Sequence, residues 1–424
     1  MEQSKNSVTV FRGSHQIGGC ATEIKTENHR ILIDLGANLP DTENDGLTDD
    51  ELLRKVIADK NCDGILFTHY HGDHIGLYKK APSEIPMYIG STAKRIMEIL
   101  AETLDKVPGN ADKGLARVRG MRCYTPAEKI MFGDIAVTPF SVDHSALDAY
   151  MFLIEIDGKR ILFTGDFREH GISGENNRLE RMLEKYVGEV DILITEGTML
   201  SRIDEKNHNP ITTEDELGKR AAKIFRENKQ SLILVSSTNL DSIMEFYHAL
   251  PDDMELVCDK YQAKLLLTVM NDKRFNYGKY RPKIINGRQR WLHIVNTLDD
   301  FKNEFSKLQK SGFTVLAREN KPLFREILDI LDNPLIIYSK WTGYLKGKHH
   351  DPKITDFIDD HRMEILHTSG HAYAETIEKV IRITKPKTII PMHTECADGF
   401  AELSNFAPYR ENIKVLRDGE QYFI

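Results

Sequence analysis

Thr68-His69-Tyr70-His71-Gly72-Asp73-His74 follows the apolar run Gly64-Ile65-Leu66-Phe67. Three imidazoles and a carboxylate within six residues are costly to hold together unless they bind something. A sharp turn after a strand can aim them at one point, and imidazole with carboxylate suits zinc and similar divalent ions. A fortuitous cluster of surface histidines is the competing explanation. Two more candidates stand downstream, His144 in Val142-Asp143-His144-Ser145 and Asp166 in Phe163-Thr164-Gly165-Asp166. Upstream, the apolar run Ile31-Leu32-Ile33 ends in Asp34. Taken singly, His144 reads as a surface histidine and Asp166 as a turn residue. Their order after the cluster, each at the end of a strand-like run, favours a common site.

Working outward, the chain has 424 residues, 40% hydrophobic and 29% charged. That is ordinary for a globular protein of about two to three domains. It excludes a disordered chain, a collagen and a small disulfide scaffold. No apolar run approaches the roughly 20 residues that span a bilayer, so no membrane association is expected. Residues 1–5 do not begin a secretory signal. Cys20, Cys62, Cys123, Cys258 and Cys396 are dispersed without a CxxC pair, which fits a reducing, cytoplasmic setting.

The first 200 residues read as short strands with few helices: 7–12, 30–34, 63–68, 86–89, 134–142, 149–156, 159–164 and 190–195. From about residue 213 helices alternate with strands, which predicts a parallel sheet. Helices are expected at 213–228, 240–250, 259–271 and 321–331, with strands at 230–235, 254–258, 313–317 and 334–338. The stretch between 271 and 313 reads as irregular. The chain closes with strand 363–367, helix 372–384 and strands 387–391, 413–416 and 421–424.

Net charge is -8, against a generally basic nucleic-acid coat. Residues 201–351 differ, with 25 lysines and arginines against 21 aspartates and glutamates. Within them, Lys273, Arg274, Lys279, Arg281, Lys283, Arg288 and Arg290 occur with no intervening acid, beside Phe275, Tyr277, Tyr280 and Trp291. Cations with aromatics can grip a phosphate backbone and stack bases. A solvated basic loop with its aromatics in the core fits equally well.

The ordered motifs resemble the metallo-β-lactamase superfamily. Asp34 resembles its first motif, His69 to His74 its second, His144 its third and Asp166 its fourth. No convincing last histidine follows at short range, since His170 and His208 sit in polar stretches. An insertion of about 150 residues before the closing motifs resembles the β-CASP nuclease branch. Ile194-Thr195-Glu196-Gly197-Thr198 fits that branch's acidic motif. Thr368-Ser369-Gly370-His371-Ala372 and Pro391-Met392-His393-Thr394-Glu395 fit its two histidine motifs. Within the branch the resemblance is to the ribonuclease J group, with two departures. The acidic motif is Glu-Gly-Thr rather than Asp-Ser-Thr, and the sequence ends at residue 424, where the ribonuclease J group has a further C-terminal domain.

The resemblance implies an α/β fold, an αββα sandwich with an inserted α/β domain. Residues 1–200 and 352–424 would form the sandwich and 201–351 the insertion. It implies two divalent ions, zinc first and manganese or magnesium as alternatives. His69, His71 and His144 would hold one, Asp73, His74 and His393 the other, with Asp166 bridging and a bridging water as nucleophile. Asp34 is assigned to orienting a ligand histidine or the bridging water. His371 is suited to protonate the leaving oxygen, with Glu196 raising its pKa. Asp73, Glu196 and His371 are thus the catalytic candidates. Ser237-Thr238-Asn239 and Ser369-Gly370 are candidates for substrate phosphate, with simple helix capping as the alternative. Tyr338 to Tyr344 has no assigned role, and Gly18-Gly19 resembles an early loop near the metals. The expected activity is hydrolysis of single-stranded nucleic acid, RNA before DNA, by exo- or endonuclease action. Rival readings are a DNA-specific nuclease of the same branch, a hydrolase of a small ester, lactone or thioester, and a binding protein without chemistry. Homo-oligomerisation is left open.

Overall fold

The computed structural model describes residues 6–39, 46–57, 61–107, 109, 114–203 and 211–424; His208 lies outside them. The chain divides into two compact units. Unit 1 comprises Met1–Glu169, Ser173–His208 and Gly370–Ile424, and unit 2 comprises His170–Ile172 and Asn209–Ser369.

Unit 1 holds two sheets. The first contains β1 (Ser7–Arg12), β2 (Ala21–Lys25), β3 (Arg30–Ile33), β4 (Gly64–Leu66), β5 (Met87–Ile89), β6 (Arg122–Cys123) and the last strand β21 (Gln421–Phe423). Its order is β21-β1-β2-β3-β4-β5-β6. The second contains β7 (Ile130–Phe132), β8 (Ile135–Val142), β9 (Ala149–Ile156), β10 (Lys159–Phe163), β11 (Ile192–Glu196) and β20 (Thr388–Met392), in the order β20-β11-β10-β9-β8-β7. Strand periodicity explains how both faces of this sheet are covered. Tyr150, Phe152, Ile154, Ile161, Phe163, Ile192 and Ile194 pack in the same core as Val8, Ile24, Ile31 and Leu66 of the first sheet. The alternate residues Met151, Leu153, Leu162 and Leu193 pack instead with Ile377, Val380 and Ile381 of the helix Ala374–Thr384. A sheet buried on both faces reads as a near-continuous apolar run, as AYMFLIEI does over Ala149–Ile156. The α/β sandwich expected for the superfamily is the observed architecture of this unit.

Unit 2 is built on one six-stranded sheet of β12 (Gln230–Val235), β13 (Glu255–Cys258), β16 (Leu292–Ile294), β17 (Phe313–Ala317), β18 (Leu335–Ser339) and β19 (Arg362–Ile365). The order is β16-β13-β17-β12-β18-β19, and every pairing is parallel. A small hairpin, β14 (Ile284–Ile285) with β15 (Arg288–Gln289), precedes the edge strand.

Three expectations need correction. Residues 413–416 form no strand. Ile413 makes a single bridge to Ile389, after which the chain turns to bury Leu416 between the sheets of unit 1. The irregular stretch contains the helix Leu298–Ser311, started by a capping box between Thr297 and Asp300. The first 200 residues hold more helix than expected, notably Ser91–Leu104. That helix has no side-chain cap of its own. Asp148 Oδ2 accepts hydrogen bonds from Thr92 N at 2.8 Å and Ala93 N at 3.1 Å, so its start signal lies 56 residues away. Among the described residues no helix is long and apolar enough to cross a membrane.

Candidate metal centre

Every side chain of the candidate centre belongs to unit 1, and all but His371 stand at or just beyond a strand end. Asp34 follows β3, His69 to His74 follow β4, and His144 follows β8. Asp166 follows β10, Glu196 ends β11 and His393 follows β20. His371 precedes the helix Ala374–Thr384. Parallel neighbours β10, β11 and β20 run in register, Ile161 with Ile192 and Ile192 with Thr388, so their ends open together.

Asp166 is the hub. Its Oδ2 lies 3.1 Å from His74 Nε2, 3.6 Å from His371 Nδ1, 3.8 Å from His69 Nε2 and 4.0 Å from His144 Nε2, and its Oδ1 is 3.7 Å from His393 Nδ1. Asp73 Oδ2 is 3.3 Å from His393 Nε2. His71 Nδ1 faces His144 Nε2 at 3.2 Å. The sequence candidates His69, His71, Asp73, His74, His144, Asp166, Glu196, His371 and His393 are therefore brought together.

Four of these imidazoles are held by the same device, in which Nδ1–H donates to an oxygen and Nε2 is turned inward. Asp34 Oδ2 accepts from His74 at 2.8 Å, Thr68 Oγ1 from His69 at 3.0 Å, Thr198 Oγ1 from His393 at 2.7 Å and the Gly370 carbonyl from His144 at 2.5 Å. Such outer partners fix the tautomer and ring orientation of a ligand histidine. Asp34 was expected in this role. Thr68, Thr198 and the Gly370 carbonyl were not singled out, although both threonines stand inside the quoted motifs. Gly370 must be glycine for this contact, because a Cβ there would come 2.5 Å from Ser145 Oγ. Gly18 is similarly constrained, with φ +82° and a Cβ position 2.9 Å from Asp73 Cβ.

The electrostatics separate the site into neutral bases and one charged cluster. Burial, with neighbouring imidazoles, holds His69 and His144 well below the usual histidine range, and burial brings His71 down to about 4. Burial also pulls on His74, but Asp166, Cys20, Asp34 and Asp73 outweigh it and raise its pKa well above the usual range. Burial pushes Asp166 upward, yet His393, His74 and His371 hold its carboxyl well below the carboxylate range. His371 is raised despite burial, through Glu196 and Asp166. Glu196 Oε2 accepts from His371 Nδ1 at 3.1 Å, while its Oε1 accepts from Phe167 N at 3.0 Å and Ala372 N at 3.3 Å.

The donor set fits a divalent cation. His69 and His74 are 0% and 1% exposed, and neither Nε2 makes a hydrogen bond among the described residues. Buried polar atoms are nearly always paired, and these two inward-facing ring nitrogens beside the Asp166 carboxylate suit a divalent cation. Ligand atoms of His69, His71 and His144 lie within 4.8 Å of one another, as do those of His69, His74 and Asp166.

The phosphate candidates are engaged locally. Asn239 accepts from Ser242 N at 3.4 Å and caps the helix Leu240–Ala249. Ser237 Oγ accepts from Gln262 Nε2 at 3.2 Å, and the hydroxyls of Ser236 and Thr238 are 3.1 Å apart. The Ser369 carbonyl accepts from His170 Nε2 at 2.8 Å. The helix expected from residue 372 begins at Ala374, so Ser369 and Gly370 lie outside its first turn.

Residues 29–266 match the β-lactamase superfamily domain, and residues 361–415 match a Zn-dependent metallo-hydrolase RNA specificity domain. A ribonuclease J of Helicobacter pylori is 24% identical over 452 residues, covering 98% of this chain and 60% of that protein. The chain thus spans about 60% of the length of the ribonuclease J proteins it matches first. A probable RNase of Methanocaldococcus jannaschii, RNase MJ4, is 26% identical over 421 residues, with 91% and 92% covered. A solved protein of unknown function from Enterococcus faecalis shares the fold at TM-score 0.75 and 20% identity, over 99% of this chain and 100% of that one.

Proposed function

The chain belongs to the metallo-β-lactamase superfamily and is ribonuclease J-like within it, and from that premise we propose that it is a metal-dependent hydrolase of phosphodiester bonds in single-stranded RNA. The observation that carries the proposal is one buried carboxylate, Asp166, within 4.0 Å of nitrogen atoms from five histidines. The match of residues 361–415 to an RNA specificity domain supports RNA as the substrate.

His69, His71 and His144 would hold one divalent ion and Asp73, His74 and His393 a second, with Asp166 shared, zinc being the first choice for this nitrogen-rich set. Ions bound there supply Lewis acidity, which polarises phosphoryl oxygens and makes water a stronger nucleophile near neutral pH. The low pKa values of His69, His71 and His144 keep these imidazoles neutral, with lone pairs available. Thr68, Asp34, Thr198 and the Gly370 carbonyl hold the rings in their tautomers. Glu196 binds His371 Nδ1–H, which commits Nε2 to the proton passed to the leaving oxygen. The raised pKa of His371 keeps that proton in place near neutral pH.

Residues 201–351 are proposed as the substrate-holding insertion. Ser237, Thr238 and Asn239 stand at the start of a ten-residue helix, where backbone N–H groups attract anions. With Ser369 they are proposed to bind a terminal phosphate and to favour removal of nucleotides from a 5′-monophosphate end. The test is digestion of one sequence as RNA and as DNA, with 5′-monophosphate, triphosphate or hydroxyl ends and as a circle. Preference for the monophosphorylated RNA is expected. Equal rates on every end and on the circle would make the enzyme an endonuclease, and equal rates on DNA would remove the RNA assignment.

A further inference from the structure

The basic and aromatic stretch 273–291 of unit 2 divides into two sets of side chains. Phe275 and Tyr280 are buried. Arg290 is buried too and donates to the carbonyls of Leu250, Pro251 and Met254. Lys279 pairs with Glu245 at 2.6 Å and Lys283 with Asp252 at 3.0 Å. These groups hold the unit together, and no ligand is needed to explain them.

The second set has no such explanation. Trp291 is 79% exposed, and Ile284 on the hairpin and Ile294 on the edge strand β16 are 62% and 46% exposed. Arg290 is buried, whereas Arg288, Gln289 and Trp291 around it are exposed. Gln289 Nε2 lies 3.8 Å from Met270 Sδ, which sets the hairpin beside the end of the helix Lys260–Met270, and the turn Lys273–Phe275 follows that helix in the chain. Lys273 and Arg288 are exposed, and neither has an acidic partner among the described residues. No acid occurs between Asp272 and Asp299. An exposed indole flanked by unpaired cations matches the chemistry of a nucleic-acid strand, whose bases stack on aromatic faces while its phosphates take the cations. A second copy of this chain is disfavoured as the occupant, since a two-fold interface would set the cations against themselves.

We propose that this hairpin edge is an auxiliary dock for single-stranded RNA, in which Trp291 stacks a base and Arg288 and Lys273 hold backbone phosphates. The proposal rests on the RNA reading given above and deepens it. The chain has two tryptophans, Trp291 and Trp341, so Trp341→Phe leaves Trp291 as the sole indole reporter. That variant is titrated with a uridine oligomer under chelation, which holds hydrolysis off, and in parallel with inorganic polyphosphate. Quenching by the RNA but not by polyphosphate is expected. Trp291→Ala in the otherwise native chain should weaken binding of labelled RNA about tenfold, the effect of one lost stack. Arg288→Glu should weaken it by a similar factor and flatten its salt dependence. RNA that binds and is cut while Trp291 stays unquenched and Trp291→Ala binds normally would overturn the dock and leave the substrate assignment standing. No RNA bound or cut by any variant would overturn both. Equal quenching by polyphosphate, or RNA-free quenching that grows with protein concentration, would assign the patch to plain charge or to a second copy and overturn the proposal.

Discussion

Glu196→Gln isolates how the carboxylate acts on His371. The wild-type contact is 3.1 Å, from His371 Nδ1–H to Glu196 Oε2. Coulomb attraction at that distance reaches about 5 kcal/mol at an effective dielectric constant near 20, an upper bound because burial of the imidazolium opposes it. A lower bound comes from exchanging a charge-assisted hydrogen bond for a neutral one, roughly 1–1.5 kcal/mol. Even the lower figure is about one pKa unit. Glutamine also has a single acceptor oxygen. Glu196 Oε1 serves Phe167 N and Ala372 N, and Oε2 serves Thr198 N as well as His371. The better orientation keeps the amide oxygen on Phe167 and Ala372 and turns the NH2 toward His371 Nδ1, which then accepts and favours the neutral ring. The sign follows directly. An acid with a raised pKa stays protonated at low pH and loses activity as pH rises through that pKa. Lowering the pKa moves the alkaline limb of the rate profile to lower pH. Above both limbs Glu196→Gln should be at least about tenfold slower than wild type, and the two should converge at acid pH. The assay is the pH dependence of RNA hydrolysis for wild type, Glu196→Gln and His371→Ala. Superimposable profiles, or a loss of equal size at every pH, would refute the coupling of Glu196 to His371.

Alanine at both Asp73 and His74 should abolish hydrolysis and reduce bound metal from about two ions per chain, by elemental analysis, with far-UV circular dichroism little changed. Gly370→Ala should cut the rate by at least tenfold, because its Cβ would press on Ser145 Oγ and displace the carbonyl that orients His144; adding Ser145→Gly should recover part of it. Phe152→Ala, in the core between the two sheets of unit 1, should lower stability by about 3–5 kcal/mol in denaturant unfolding.

The cluster around Asp166 was legible because most of its side chains sit in short motifs at strand ends, where an apolar run breaks into His or Asp. The sandwich was legible for the same reason, since strands such as Ala149–Ile156 are apolar on both faces. What escaped notice depends on distant partners. The helix Ser91–Leu104 draws its cap from Asp148, and the His144 ring is set by a carbonyl 226 residues away. Neither leaves a local signal. Leu298–Ser311 is different, because its Thr297–Asp300 capping box and its apolar spacing at Leu298, Phe301, Phe305 and Leu308 were present in the sequence. In the basic stretch the alternative of aromatics in the core describes Phe275 and Tyr280 but not Trp291, which is exposed.

The central claim is that the Asp166-centred cluster hydrolyses RNA with bound divalent ions. The direct measurement is the rate of single-stranded RNA cleavage by the purified chain after chelation and after return of zinc, manganese or magnesium. Loss on chelation, recovery with at least one of these ions and no recovery in Asp166→Ala are predicted. Cleavage undiminished by stringent chelation, or an Asp166→Ala variant restored to the wild-type rate, would contradict it.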